Sequence, residues 1–499
     1  MNPSPRFDIG RPALKDVWVD PVAGCDDNSG ATRAKAFKTI SAAWASIPPD
    51  TSAAGHGWRI LLAPGKYPPE QKCLIHLECR RGSHACPIIL QPSDGPLTAE
   101  LPGLSFRACS SIYVLDLKLV FSDHEPGTVT YDNVLHIADC QDALVRGVTA
   151  IGLSRPGRGY PYNVFKGNQC MRMYIEECDF GGARSNALDY VAVHYGHIVR
   201  SRFHQTECEC IYVKGGSAYH LIAGNECFDS KNHGILAGQT TGFRYMVSPW
   251  LHYEAYDIKV VNNVIHDAGG GLAVFGGYNI LEAWNTCYRV GSLRDTLAVG
   301  LGGRGWGHAG GEIIDDYLRQ GGWCNPEGSC QFNIPNRNVA MCNNVVLNPD
   351  GFESRFAHIG FSGPVKTPPG SNLPEIARAD ENVRIAGNII WNGPANKPVL
   401  DMAELEYHLA AYPTADAEEL RRLNVINTLR PELMDPEHGD FRPVPLSELR
   451  NLKTCEIGDF KWDDAPNQPH PPAGNPDNQV PLDRDGKPRD ASSPPGAYV

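Results

Sequence analysis

A set of look-alike segments, recurring at an almost constant interval, constrains this chain more than any other feature. MRMYIEECDF (171–180), HIVRSRFHQT (197–206), HLIAGNECF (220–228), IKVVNNVIHD (258–267), NILEAWNTCYRV (279–290), NVAMCNNVVLNP (338–349) and NVRIAGNIIWNG (382–393) each hold a short β-prone run, a polar residue and more apolar residues. The polar position is Asn225, Asn263, Asn285, Asn344 and Asn388 in five of them, and Cys178 and Ser201 in the first two. The steps 178→201, 201→225 and 263→285 are 23, 24 and 22 residues. A second series keeps the same spacing: Ala187–Val191, Cys210–Lys214, Gly234–Gly238 and Gly271–Phe275. Short strands at this period, with no helix-period stretch between them, do not make βαβ units. They predict a parallel β-solenoid, in which each coil buries itself against its neighbours about 4.8 Å away. A buried Asn at a turn tolerates a left-handed backbone and can hydrogen-bond the equivalent Asn of the next coil, which explains its recurrence.

The ends and interruptions fit that reading. Residues 38–47 have helical spacing and suit a cap over the first coil, where an open sheet edge would otherwise invite pairing. Residues 293–337 leave the repeat as a Gly-rich inserted loop, 401–424 read as a helical decoration, and 464–499 as a Pro-rich tail laid on the surface of one domain spanning 1–463. The N-terminal pattern VWVDPVAGCDDNSG…FKTISAAW…RILLAPGKY, with the closing DRDGKPRDASSPPGAYV, resembles the right-handed parallel β-helix superfamily of pectate-lyase-like proteins. That likeness implies an all-β fold.

Composition narrows the function. The net charge of −12 argues against nucleic acid, which needs a basic face to displace counterions. No run of 18 apolar residues offers a transmembrane helix, so no membrane partner is expected. The N-terminus lacks the charged-then-apolar layout of a secretory signal, which leaves the compartment open: secreted or periplasmic if a signal has been removed, otherwise cytoplasmic. Of the 16 Cys, Cys73/Cys79 and Cys324/Cys330 could close small disulfides, whereas Cys178, Cys227, Cys287 and Cys342 lie in apolar runs and read as buried residues.

Stacking by the repeat puts Asp189, Tyr212, Leu236 and Ala273 in one outward row, Val191, Lys214, Gly238 and Phe275 in a second, and Asn186, Glu209 and His233 in a third. Outward rows of successive coils form a long groove, suited to a polysaccharide. The sharpest motif is Glu207-Cys-Glu209-Cys-Ile-Tyr-Val-Lys214. Two carboxylates two residues apart, with an oxygen from Asn186, can hold calcium. Lys214 beside that ion would have its charged form disfavoured and act as a base. This equipment suits β-elimination on a uronic acid: the metal neutralises the carboxylate and the amine takes the C5 proton. Because Glu209 and Lys214 are five apart, they share a face only if the chain turns between Glu209 and Ile211.

The Glu-x-Glu-x-x-x-x-Lys order resembles the calcium-dependent alginate lyase and chondroitinase B family. The likeness implies Asn186, Glu207 and Glu209 as calcium ligands and Lys214 as base. The family's acid is an Arg about one coil later, where this chain reads GILAGQ (234–239), so His233, Arg244 or Tyr245 are the substitutes. Cys208–Gly242 also resembles the polygalacturonase-type hydrolases. In that reading Glu209 is the acid and Asp189 the second carboxylate. A non-catalytic glycan-binding β-helix is the third reading. Tyr212, Lys231, Trp250 and Trp306 are candidate substrate contacts, although aromatics in insertions can equally anchor their loops.

Overall fold

The computed structural model describes residues 5–499 except 71–73, 122–132, 153–160, 306–310, 325–330, 353, 401–415, 446–447, 453, 461–476 and 491. Its described residues form two compact units. One comprises Pro5–Asp189 with Val193–Glu207, and the other Cys208–Val499 with Tyr190–Ala192.

In the N-terminal unit, Leu14–Val19, Gly57–Leu62, Ile88–Pro92, Ile112–Leu115, Gln141–Arg146, Met171–Glu176 and His194–Val199 pair in that order, all parallel. Ile75–Glu78, Leu104–Arg107, Asn133–Ala138 and Asn163–Asn168 form a second parallel face. The expected helix runs over Ile40–Ser46. Thr39 caps it by accepting from the Ala42 amide, and Ile40, Ala43 and Trp44 face inward. Trp44 Nε1 donates to the Glu78 carbonyl at 3.0 Å, which ties the helix to the coils.

The C-terminal unit repeats the scheme. Ser217–Ala223, Ala255–Val261, Gly277–Ala283, Arg337–Cys342 and Glu381–Ala386 stack parallel on one face. Ile211–Lys214, Glu226–Gly238, Val264–Phe275, Leu297–Gly300 and Ile359–Phe361 stack on another. Consecutive strands of the chain lie on different faces, and each face pairs coil upon coil. The chain is a parallel β-helix. The 293–337 segment contributes the strand Leu297–Gly300 to this face and carries a helix, Gly311–Arg319. Of the 401–424 segment, the described part forms the helix Ala417–Leu423.

The asparagine column holds the C-terminal unit together at one corner. The backbone and side-chain amides of Asn225 both donate to Asn263 Oδ1, at 2.9 and 3.0 Å. Asn263 donates in the same way to Asn285, Asn285 to Asn344, and Asn344 to Asn388. Asn388 extends the column to Asn424, a member the repeat did not reveal. Every amide in this buried corner is thereby satisfied along the stack. The left-handed backbone, however, falls on the residue before each ladder Asn: Gly224, Asn262, Trp284, Asn343 and Gly387 all have φ between 57° and 69°. That preceding residue turns the corner, which aims the Asn side chain along the stacking direction. Cys178, Cys227, Cys287 and Cys342 are buried, as their apolar setting predicts. Cys73 and Cys330, one member of each disulfide pair expected, lie outside the described residues.

Candidate functional site

The site forms where the coils of the C-terminal unit expose their Ile211–Lys214 face. Tyr212 is in register with Leu236, Leu236 with Ala273, Ala273 with Ala298 and Ala298 with Gly360. In the next column Gly238 pairs with Phe275 and Phe275 with Gly300. These match the Tyr212–Leu236–Ala273 and Gly238–Phe275 parts of the rows expected from the repeat. A cavity of about 820 Å³ opens over the later coils of these rows, where Phe275, Ala298 and Gly360 line it. Its walls include the carboxylates of Glu209 and Asp295, the cations Arg294 and Lys366, the polar side chains of Asn232, His233, Gln239, Asn333 and Ser362, and the rings of Phe275, Phe332 and Phe361.

Two glycines make the close approaches. A Cβ on Gly270 would stand 2.7 Å from both the His233 ring and Arg294 Cβ, so its bare backbone lets these two groups meet. A Cβ on Gly360 would stand 2.2 Å from Asp295 Oδ2, so that carboxylate lies directly over the glycine. Substitution at either position would displace the groups lining the cavity.

The electrostatics follow from this packing. His233 is buried, its Nδ1 has no hydrogen-bond partner among the described residues, and its ring meets Phe275 edge-on at 5.8 Å. Burial, and then the charge of Arg294, push its pKa down to about 3, so the ring is neutral in the working range. Arg294 Nε donates to Asn232 Oδ1 at 3.2 Å, which fixes the guanidinium at the wall. Tyr212 donates its hydroxyl to Gln239 Oε1 at 2.6 Å, and Lys214 Nζ rests 4.2 Å from the centre of the Tyr212 ring.

The chain is bent through Glu207–Cys210 and becomes a strand only at Ile211; Glu209 lines the cavity, and Tyr212 and Lys214, two apart on the strand, share a face of it. The structure brings Glu209 and His233 to one cavity; Tyr212 and Lys214 are not among its walls, and Tyr212 meets it only through the wall residue Gln239. Lys231, Arg244, Tyr245 and Trp250 are not among the cavity walls. Lys231 is exposed, and Arg244 lies over the Tyr245 ring and hydrogen-bonds its hydroxyl at the surface. Trp250 is buried against Tyr219 and acts as a loop anchor. Trp306 lies outside the described residues.

Asn186, Asp189 and Glu207 belong to the N-terminal unit. Asp189 is buried and accepts a hydrogen bond from Lys166 Nζ at 2.5 Å, which makes it an ion-pair partner. Asn186 is 2% exposed, and its amide nitrogen donates to Asn163 Oδ1 and Ser185 Oγ at 3.2 and 3.1 Å. Asn163 in turn donates to Asn133, so Asn186 is part of an amide ladder. Among the described residues no group of three His, Cys, Asp or Glu side chains is placed to hold a metal ion.

Arg294, Asp295, Gln239, Asn232 and Lys366 are wall residues that the sequence reading missed. The signal available was the pairing of Gly269-Gly270-Gly271 with a charged Arg-Asp one coil later, which becomes visible only once 293–300 is counted as a coil.

No protein-family model and no curated protein matches the sequence. Among solved structures, a pectate lyase is similar over 91% of this chain and 94% of its own, at 13% identity and a TM-score of 0.42. A rhamnogalacturonan lyase is similar over 75% and 87%, at 12% identity and a TM-score of 0.45. A PL6 family polysaccharide lyase from Pseudopedobacter saltans is similar over 80% and 94%, at 14% identity and a TM-score of 0.36.

Proposed function

We propose that the chain is a carbohydrate-active enzyme, a polysaccharide lyase that cleaves a uronate-containing glycan by β-elimination in the cavity of the C-terminal unit. The observation that carries this reading is a cavity lined by two cations, Arg294 and Lys366, and two carboxylates, Glu209 and Asp295, with Asp295 lying over the bare backbone of Gly360. Arg294, anchored by Asn232, and Lys366 supply positive charge to neutralise a substrate carboxylate, the task first assigned to calcium. Neutralising that carboxylate makes the C5 proton acidic. Lys214 is the proposed base: it stands beside the cavity, over the Tyr212 ring whose hydroxyl binds the wall residue Gln239, and it follows Val213, whose partner Ala237 precedes the side-chain-free Gly238. Phe275 and the half-exposed Phe332 offer ring faces to sugars. No step is routed through a metal.

The test is a panel of acidic and neutral polysaccharides read for ultraviolet absorbance of an unsaturated product and for new reducing ends. A lyase raises both, and Lys214→Ala and Arg294→Ala lower turnover by roughly 100-fold or more, the usual range for loss of a base or a charge-stabilising donor. Reducing ends without absorbance would favour a hydrolase. Glu209 and Asp295 support that second reading, because both line the same cavity. Neither signal, together with retained glycan binding, would make it a binding protein.

A further inference from the structure

Away from the cavity, two cysteines distant in sequence are held together. Cys342 closes the strand Arg337–Cys342, and the next residue, Asn343, grips the Cys455 backbone from both sides. The Cys455 amide donates to Asn343 Oδ1 at 2.8 Å, and Asn343 Nδ2 donates to the Cys455 carbonyl at 3.0 Å. Both sulfurs sit over the strand Glu381–Ala386: Cys342 Sγ contacts the Arg384 carbonyl at 3.9 Å, and Cys455 Sγ the Ala386 carbonyl at 3.5 Å. The two thiols are near enough to perturb each other, Cys342 upward and Cys455 downward. Cys342 is fully buried, whereas Cys455 is half-buried.

We propose that Cys342 and Cys455 are a disulfide-forming pair, which on oxidation covalently clasps the segment around residue 455 to the β-helix. The asymmetry of exposure sets the order of events. Cys455, reachable from solvent, attacks one sulfur of a low-molecular-weight disulfide such as oxidised glutathione and releases one thiolate. Cys342 then attacks Cys455 Sγ in the mixed disulfide and releases the second thiolate. The two cysteine protons end on the released thiolates, so two protein thiols are oxidised and one disulfide is reduced to two thiols. The neighbouring Cys342 holds the Cys455 thiol below its ordinary value, which supports Cys455 as the attacking sulfur. Cys210 and Cys227 also meet, but both are buried, and they serve as the internal comparison.

The clasp has a mechanical consequence. Gly458 and Asp459, just beyond Cys455, hold Asn478 through hydrogen bonds at 2.8 and 2.9 Å. The segment that follows is strapped along the corner of the coils: Arg484 donates to the Asn225 carbonyl, and the Arg489 guanidinium stacks over Trp284 at 4.2 Å. Oxidation would therefore fix one end of this strap. A cross-link that closes a loop of more than 100 residues restricts the unfolded chain strongly.

The test is peptide mapping of the whole protein after equilibration in reduced and oxidised glutathione, with unreacted thiols alkylated. The expected result is a linked peptide joining Cys342 and Cys455, lighter by two hydrogens, with Cys210 and Cys227 still alkylatable after unfolding. The thermal midpoint should rise on oxidation, and the rise should vanish in Cys455→Ser. In Cys342→Ser, Cys455 should stop as the glutathione mixed disulfide. Overturning results are a wild-type Cys455 that remains a mixed disulfide, pairs with another cysteine, or stays reduced while the exposed Cys25 is modified. The map is read on the wild-type chain, so a variant that fails to fold does not shelter the proposal.

Discussion

Glu282 gives the most quantitative forecast. It lies in the strand Gly277–Ala283, in register with Val260 and Met341, and is 0% exposed. Neither carboxyl oxygen has a hydrogen-bond partner among the described residues. Burial alone pushes its pKa well above the ordinary 4.5, so the folded protein keeps the proton. The unfolded chain releases it above pH 4.5. A raised carboxyl pKa means stability that is full below the unfolded value and lost as pH rises, at about 1.4 kcal/mol per pH unit. Between pH 4.5 and 7 this single residue should cost the wild type up to about 3 kcal/mol, the limit for a proton kept throughout. Glu282→Met keeps the volume, removes the titration and removes two unsatisfied oxygens. Denaturant unfolding at pH 4.5, 6 and 7 should therefore show the variant more stable throughout, with a gap that widens by up to about 3 kcal/mol across the series. Effects of every other carboxylate cancel in the difference. A gap that stays constant with pH would refute the claim that Glu282 is protonated in the core.

Glu176 should behave with the opposite sign. It accepts from the Phe7 amide at 2.5 Å, Arg146 at 2.6 Å and His197 at 2.7 Å; burial works against the charge, but these donors outweigh it and hold the pKa down to about 2. Its contribution is present above pH 4.5 and is lost as pH falls towards 2, so Glu176→Gln should flatten the acid limb of the stability curve by up to about 3 kcal/mol. Arg304 is fully buried, pairs with Glu254 at 2.7 Å and hydrogen-bonds Tyr317 on the helix Gly311–Arg319. Arg304→Met should cost about 3–5 kcal/mol in unfolding experiments and open that helix to proteolysis, because it strands a buried carboxylate. Asn285→Ala removes an acceptor for two amides and a donor to Asn344 and the Val260 carbonyl, and should cost at least about 3 kcal/mol by thermal or denaturant melting. A chelator should leave turnover on the active polysaccharide unchanged; loss that calcium restores would return the metal to the mechanism.

The order of the fold was legible because a solenoid is locally encoded. One coil of chain packs on the next, so a period of 22 to 24 residues and one recurring Asn are enough to imply the stack and its registers. The left-handed residues were misplaced by one position, since a propensity for αL does not say which of two adjacent residues turns the corner.

The contents of the cavity were a different matter. Arg294 and Asp295 belong to a segment that looks irregular in sequence, and only its pairing with the Gly271–Phe275 coil brings them beside His233. Asn186 and Asp189 carry the right chemistry for a site, yet Asn163 and Lys166, each about one coil away, engage them. By itself, then, the sequence determined the coil, the ladder and the outward rows, because these depend on neighbours one period apart. Which polar residues stay available to a ligand was decided by tertiary structure, because that depends on partners and empty space, such as the bare backbone of Gly270 and Gly360, that no single period records.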